Sequence, residues 1–232
     1  MGRKKAHSWR MRLLGFVALL LLVGGAYAWW QARHWTPPRS EFPQQGVVIG
    51  EGDGAVAFDS LRAIGAQFVY LEASRGEDGR DEAFGRNLAA VMESGLPFGV
   101  IHTYDPCVPA ERQAANFLTI VPRGEYQLPP AIELSRLADE CEDRLAEAAI
   151  ESELTTFLNQ IEGHAGRSAV LKLSPQFEQR YSIARSIERN LWLASDWRQP
   201  DYAGRPWTLW TANSHLQTAV ADSPVRWVVA QP

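Results

Sequence analysis

The chain has 232 residues, of which 46% are hydrophobic and 22% charged, a globular composition that excludes a disordered or fibrous protein. Residues 1–40 contain seven Lys and Arg and no acidic side chain, whereas the rest of the chain contains 16 basic and 27 acidic side chains. Because phosphate binding needs a basic surface, this acidic main body argues against a nucleic-acid partner. No P-loop, GxGxxG or HExxH motif is present, and the two cysteines and five dispersed histidines have no metal-ligand spacing. We therefore expect neither a metal nor a cofactor.

The N-terminus carries a candidate membrane anchor. The uncharged run over 13–30 has 18 residues and spans about 27 Å as a helix, close to the thickness of a hydrocarbon core. Basic residues precede this run and Trp29 and Trp30 end it, which is typical of a helix whose N-terminal side stays in the cytoplasm. We expect a single-pass inner-membrane protein with a periplasmic, extracytoplasmic C-terminal domain. A cleaved signal peptide is the alternative, because residues 26–28 (AYA) have the form of a cleavage site, and both interpretations predict export.

The chain is expected to divide into four segments. These are a cytoplasmic basic segment (1–12), the transmembrane anchor or signal peptide (13–30), a Pro-rich linker (31–45) and the main domain (46–232). The prolines of the linker are expected to hold it extended, as a stiff spacer. In an oxidising compartment, Cys107 and Cys141 could form a disulfide, with two buried free thiols as the alternative.

The main domain alternates short apolar strands with amphipathic helices. An apolar run such as FVYLEA at 68–73 is typical of a buried strand, and the apolar stripe of 82–94, closed by Gly95, is typical of a helix. Strands are expected at 47–49, 68–73, 98–103, 131–134, 168–173, 190–194, 207–211 and 225–229. Helices are expected at 59–64, 82–94, 110–120 and 140–162, the last either continuous or broken once. This alternation predicts a mostly parallel sheet, open or closed into a barrel, with the chemistry of a barrel at the C-terminal ends of its strands.

A series of motifs follows the same order as these elements. Residues 46–50 (GVVIG) stand where a G-I-D-V-S motif would begin a domain, residues 65–76 (GAQFVYLEASRG) resemble G-x-x-F-V-Y-I-K-A-T-E-G, and residues 128–135 (LPPAIELS) resemble L-P-P-V-L-D-V-E. Residues 206–210 (PWTLW) follow P-W-x-x-W, and residues 225–228 (VRWV) stand where V-D-L-N closes the fold. From residue 46 onward the chain thus resembles the glycoside hydrolase family 25 lysozymes, which are peptidoglycan N-acetylmuramidases. The resemblance implies an α/β fold, the irregular TIM-like β/α barrel of that family, preceded here by one transmembrane helix.

The resemblance also locates the acids of the family, and most of those positions are not acidic here. They correspond to Val48 on the first strand, to Glu133 and Ser135 in place of the D-x-E pair, and to Arg226 on the last strand. Glycoside hydrolysis needs one acid to protonate the leaving oxygen and a second negative group for the transition state or intermediate. Valine carries no charge, serine is not an acid of the required strength, and arginine reverses the charge. We therefore expect a degenerate, non-hydrolytic domain that acts at the cell wall by binding peptidoglycan or a partner protein.

An active peptidoglycan muramidase is the alternative function. Glu133 would then be the catalytic residue, with Glu72, Glu51 or Asp53 as a relocated second carboxylate. A simpler, non-catalytic role is the alternative for each of these four carboxylates. Glu133 could pair with Arg226, Glu72 could pair with a nearby basic side chain, and Glu51 and Asp53 could be solvated loop residues.

Aromatic and polar side chains near the expected cleft are candidate substrate contacts. Flat rings stack on sugar faces, so a cleft that keeps these rings could hold a glycan without cutting it, although core packing is the alternative for each ring. Because Trp207 and Trp210 are three residues apart, we expect one to point into the barrel and the other outward. The residues expected to bind substrate are Glu51, Asp53, Glu72, His102, Tyr104, Ser135, Trp192, Trp210 and Arg226.

A third interpretation of the function is a membrane-anchored interaction domain with no affinity for glycans.

Overall fold

The computed structural model describes residues 3–142 and 146–232, and the side chains of residues 3–8 and 10 are outside the description. The chain divides into two compact units, which meet in sequence between Trp35 and Thr36. The first unit is helix α1 (Arg3–His34). Its stretch Met11–His34 is long and apolar enough to cross a membrane by length and composition, a test that a signal sequence also passes.

The second unit is an eight-stranded closed barrel with one short additional strand. Its strands are β1 (Gln45–Ile49), β2 (Phe68–Arg75), β3 (Gly79–Arg80), β4 (Phe98–Thr103), β5 (Ala131–Leu134), β6 (Val170–Leu173), β7 (Asn190–Ala194), β8 (Leu209–Leu216) and β9 (Val225–Ala230). The sheet order is β1-β9-β8-β7-β6-β5-β4-β2-β3, and the pairing of β1 with β2 closes the barrel. The strands pair in parallel except β9, which is antiparallel to β1 and β8, and β3, which is antiparallel to β2. The β/α barrel that the resemblance implies is therefore confirmed.

Helices connect the strands on the outside of this barrel. They are α2 (Phe58–Leu61), α3 (Phe84–Ser94), α4 (Ala110–Ile120), α5 (Glu147–Ala165), α6 (Pro175–Tyr181) and α7 (Ile183–Ser186). The helical stretch expected over 140–162 is not continuous, because a separate 3-10 turn occupies Ala138–Glu140 and α5 begins only at Glu147. Part of that expected helix, residues 143–145, lies outside the described residues. Helix α6 was not predicted, although Ser174 caps it by accepting the Phe177 N–H and Pro175 begins it, a recognisable start signal.

The interior of the barrel is filled by alternate residues of its strands, as the two-residue period of a strand requires. The Tyr70 and Trp192 rings meet there with centroids 4.8 Å apart. Gly99 lies beside Tyr70, where a Cβ atom would collide with the ring, so this position has to be glycine. The inward-facing core comprises Val48, Phe68, Tyr70, Ile101, Ala131, Val170, Trp192, Leu209 and Val228. These side chains fill the interior of the barrel with apolar and aromatic groups.

The segment before β1 is folded against the barrel and is not an extended spacer. Gln45 donates from Nε2 to the carbonyl oxygens of Pro37 and Phe42, both at 2.9 Å, and its Oε1 accepts the Trp227 indole N–H at 2.7 Å. Phe42 is buried against the rings of Trp207 and Trp210, with centroids 6.1 and 5.6 Å away. The spacer expectation was therefore wrong from Pro37 onward, because Phe42 and Gln45 find partners on the barrel. The inward-and-outward expectation for the two tryptophans was also wrong, since both are buried on this one side.

Candidate functional site

Charged side chains meet at the end of the barrel where the parallel strands finish. Thr103, Glu133, Lys172 and Trp192 are register partners across β4, β5, β6 and β7, so they lie at one level of the interior. Arg226 pairs with Val48 across β9 and β1. We call this end of the barrel the mouth, and the sequence had placed the candidate chemistry here.

Glu133 is paired with a lysine on the neighbouring strand. Lys172 Nζ lies 2.9 Å from Glu133 Oε2, and the ammonium sits 5.5 Å from the centroid of the Trp192 ring. Trp192 in turn donates its indole N–H to Thr211 Oγ1 at 2.8 Å, which fixes the ring beneath the lysine. The pair of Glu133 with Arg226, which was one alternative for Glu133, is replaced by the pair with Lys172, because the β5–β6 register puts Lys172 directly beside Glu133.

Arg226 is held between two carboxylates. Its Nη2 lies 3.1 Å from Asp53 Oδ2, and its Nη1 donates to Glu72 Oε1. Asp53 is only 4% exposed and also accepts the Gly50 N–H at 2.7 Å, so it is not a solvated loop residue. Burial acts to lower the pKa of Arg226, but the attraction of Glu72 and Asp53 outweighs it and raises this pKa. Burial raises the pKa of Asp53, and Arg226 opposes that shift.

A second charged group holds the loop after β1. Arg75 Nη2 lies 2.6 Å from Glu51 Oε1, while Glu51 Oε2 accepts the Glu82 N–H at 2.9 Å. The hydrogen bond from Arg75 is the main reason that the pKa of Glu51 is lowered. Asp81, which was not among the candidates, accepts the Glu51 N–H at 2.6 Å and the Ala83 N–H at 2.9 Å. Burial raises the pKa of Asp81, whose role here is to fix backbone.

Several expected substrate contacts lie in the core. His102, Trp192 and Trp210 are at most 2% exposed, so a sugar cannot reach their rings. The expectation that they contact substrate was therefore wrong, because their positions on the strands bury these side chains in the core. His102 Nδ1 lies 2.8 Å from Ser74 Oγ, and burial lowers the pKa of His102 to about 4. The Trp210 indole N–H donates to the Ser195 carbonyl oxygen at 2.8 Å. Tyr104 is buried as well, although it lines a groove beside the mouth.

Ser135 is exposed and directly follows the end of β5. The site thus brings together Glu72, Asp53 and Arg226 in one cluster and Glu133 and Lys172 in another, with Glu51 joined to Arg75. Among the described residues, no group of three or more His, Cys, Asp or Glu side chains has the arrangement of a metal site.

One exposed aromatic side chain was missed by the sequence analysis. Trp197 follows β7, is 53% exposed, and has a φ of 66°, a left-handed conformation that is uncommon for a residue with a large side chain. Its backbone N–H donates to the Ala212 carbonyl oxygen at 2.9 Å, and Asp196 Oδ1 accepts the Ser214 N–H at 2.8 Å. The loop is therefore fastened to β8 while the indole faces solvent. Neither periodicity nor a motif marks this residue in the sequence.

A disulfide fixes the loops beside the mouth. Cys107 and Cys141 are bonded, with Cα atoms 5.3 Å apart, and they join the loop after β4 to the turn after β5. Within the described parts of the chain, there are no free cysteines.

The closed, mostly parallel barrel carries its carboxylates at the end where β/α-barrel enzymes have their active sites. The family model described as glycosyl hydrolases family 25 matches residues 48–220, and the chain belongs to this family. A comparison with curated proteins found no match.

Solved structures of the same fold cover most of the chain. A family 25 glycosyl hydrolase from Bacillus anthracis is 21% identical, with a TM-score of 0.76 over 85% of this chain and 92% of that one. The bacterial lysozyme from Streptomyces coelicolor is 17% identical, with a TM-score of 0.71 over 82% of this chain and 92% of that one. The Clostridium perfringens spore cortex lytic enzyme SleM is 21% identical, with a TM-score of 0.69 over 81% and 67% of the two chains.

Proposed function

We propose that this chain is an exported, membrane-anchored lysozyme-like domain that binds peptidoglycan at the cell wall without hydrolysing it. The observation that carries the proposal is the pairing of the mouth carboxylates with Lys172 and Arg226. In this proposal residues 1–12 are cytoplasmic, 13–30 form the anchor in the inner membrane, 31–45 lead to the domain and residues 46–232 form the extracytoplasmic domain.

The first argument is the chemistry of the four positions that resemble the acids of the family. Val48 is fully buried and carries no charge, Ser135 offers only a hydroxyl group, and Arg226 is a cation. Glu133 is the one carboxylate of the four, and its Oε2 already accepts a hydrogen bond from Lys172. A glycosidase needs two carboxyl groups that flank the scissile bond, and these positions supply one.

The second argument is electrostatic. Glycoside hydrolysis passes through a transition state that resembles an oxocarbenium ion, so positive charge develops on the sugar. Catalysis requires fixed charges that favour this developing charge more than they favour the bound substrate. Lys172 and Arg226 place two cations among the mouth carboxylates, and they offset the negative potential that would stabilise the transition state.

Binding is supported by what the mouth retains. The barrel of a glycosyl hydrolase family is kept, its end carries charged and hydroxyl side chains, and the exposed Trp197 follows one of its strands. The structures of similar fold include two lysozymes and a spore cortex lytic enzyme, which makes peptidoglycan the glycan to test.

The proposed anchor has its own test. Membranes are extracted with carbonate, and the mass of the intact chain is then measured. Cleavage after residue 28 would show a signal peptide.

The function is tested with the full-length protein in detergent micelles and purified peptidoglycan. The expected result is co-sedimentation with peptidoglycan and no release of reducing ends at any pH between 4 and 8. The alternative, an active muramidase using Glu133, predicts release of reducing ends that Glu133→Gln abolishes. The exposed Glu188 supplies the matched control, because Glu188→Gln makes the same chemical change away from the mouth. Failure to bind any peptidoglycan would favour an interaction domain whose partner is a protein.

A further inference from the structure

A groove of about 430 Å³ lies beside the mouth and meets it at Thr103. One wall is the hairpin between β2 and β3, which contributes Arg75 and Glu77, and the opposite wall is the loop after β4, which contributes Asp105. Arg136, from the loop after β5, completes the lining. The volume is in the range of pockets that hold small ligands.

Both walls of this groove are held by amide side chains, of which Asn116 is half-buried and Gln113 is buried. Asn116 Nδ2 donates to the carbonyl oxygens of Gly76 and Gly79 at 3.0 and 2.9 Å, which fixes the hairpin. Gln113 is fully buried, accepts the Asp105 N–H at 2.8 Å, and donates to the Asp105 carbonyl oxygen at 2.8 Å. The Cys107–Cys141 disulfide ties this wall to the chain that follows Arg136. The groove is therefore formed before any ligand arrives, which lowers the entropic cost of binding.

The groove presents charges of both signs, because Glu77, Asp78 and Asp105 line it together with Arg75 and Arg136. Arg136 is paired with Asp105, and Arg75 with Glu51. Glu77 is held by Arg112 at 2.7 Å. A guanidinium carries five N–H donors in a planar fork that matches a carboxylate, so a guanidinium paired on one side can still receive a carboxylate on another. Tyr104, the aromatic residue in the lining, is buried, so the groove does not offer a flat ring to a sugar.

These features favour a charged peptide over an uncharged sugar. The sugars of peptidoglycan carry mostly hydroxyl and acetamido groups, whereas its stem peptides carry carboxylates and an amino group. We propose that this groove, with Arg136 and Arg75 as the carboxylate-binding residues, recognises the stem peptide while the mouth holds the glycan. The inference rests on the proposed function and adds the peptide to the ligand.

The test compares two probes on the full-length protein in detergent micelles. One probe is the disaccharide N-acetylglucosaminyl-N-acetylmuramic acid with its lactyl carboxyl group amidated, so that it is uncharged. The other is the same disaccharide with its tetrapeptide attached through that carboxyl group. We expect the peptide-bearing probe to bind at least tenfold more tightly at low salt. Arg136→Gln should reduce this preference to about twofold or less, while Arg180→Gln should retain it. Arg180 is the matched control, because it pairs with Asp139 and Glu147 and is not part of the groove lining.

A salt series on the wild-type protein tests the same charge pairs without a substitution, so it is informative even if a variant does not fold. Charge pairs at an exposed groove weaken as the Debye length shortens, so the preference of the wild-type protein should fall between 0.05 and 0.5 M salt. Equal binding of both probes would overturn the inference and leave the proposed function standing. Binding of neither probe, nor of glycan strands stripped of peptide, would overturn both. A preference that Arg136→Gln leaves intact and salt does not change would also overturn the inference.

Discussion

Lys172 Nζ lies 2.9 Å from Glu133 Oε2, and this contact joins two neighbouring strands at the mouth of the barrel. Both side chains are largely shielded from water, at 10% and 24% exposure, so each depends on the other for its partner. The pair occupies the place where the resemblance to family 25 would put a catalytic carboxylate. The pair shows how β5 can keep a carboxylate at this position although Lys172 occupies that carboxylate.

Removing one member of this pair should destabilise the fold. We expect Lys172→Met to lower the free energy of unfolding by about 1–3 kcal/mol, because it leaves a shielded carboxylate without its cation. Adding Glu133→Gln to that variant should restore most of the loss, since the uncompensated charge is gone. Urea unfolding of the two single variants and the double variant measures the coupling. Losses that simply add would show that the two side chains do not depend on each other.

Arg226 should be more costly to replace. Arg226→Met leaves Asp53 and Glu72 close together without a cation, and we expect a loss of about 3 kcal/mol near pH 7. Burial already raises the pKa of Asp53, and removing Arg226 raises it further. A carboxyl group whose pKa is higher in the folded state makes the fold more stable as pH falls through that pKa.

The deficit of Arg226→Met should therefore shrink between pH 7 and pH 5, as the folded protein takes up a proton. Urea unfolding at both pH values checks this, with Arg180→Met as a control for loss of an exposed guanidinium. A deficit that grows on acidification would contradict the arrangement described for Asp53 and Glu72.

The exposed indole of Trp197 should contribute to peptidoglycan binding. Trp197→Gly removes the ring. It also relieves the left-handed backbone conformation, which is about 1 kcal/mol less favourable for a residue with a side chain than for glycine. We expect affinity for peptidoglycan to fall about tenfold, or about 1.4 kcal/mol. Sedimentation binding and urea unfolding on the same preparation separate the two effects. Trp207→Gly, in the buried cluster with Phe42, should instead be strongly destabilising.

His102 should make the fold sensitive to acid. Burial lowers its pKa to about 4 in the folded protein, well below the ordinary value of 6.5, so the unfolded chain binds the proton more readily. Its contribution to stability is present above pH 6.5 and is lost as pH falls toward 4. Between pH 6.5 and 5 this amounts to about 2 kcal/mol. His102→Gln should lose less stability over that interval than the wild type, and equal slopes in urea unfolding would show that His102 does not titrate as described.

The sequence predicted the strands that are short continuous apolar runs. The bounds 98–103, 131–134 and 190–194 are those observed, because such runs are buried on both faces and turns or charges delimit them. The closed barrel was predicted from the order of the motifs along the chain. The segment before β1 was misjudged, since proline content describes local stiffness and cannot show that Phe42 meets Trp207 and Trp210 from far along the chain.

The ion pairs were harder to predict than the positions of the acids. Collinear motifs placed Glu133, Ser135 and Arg226 near one end of the barrel, but which charges meet depends on the register of neighbouring strands. Lys172 was not among the candidate site residues, and the register makes it the partner of Glu133. Trp192 and Trp210 were candidates because rings bind sugars, yet their positions on strands bury them.

The most direct test of the central claim is a reducing-end assay of the full-length protein on purified peptidoglycan, run beside sedimentation binding on the same sample. A binding domain without hydrolytic activity should sediment with peptidoglycan and release no reducing ends, and Glu133→Gln should bind as the wild type does. Release of reducing ends by the wild type that is lost in Glu133→Gln and kept in Glu188→Gln would contradict the account and identify an active hydrolase.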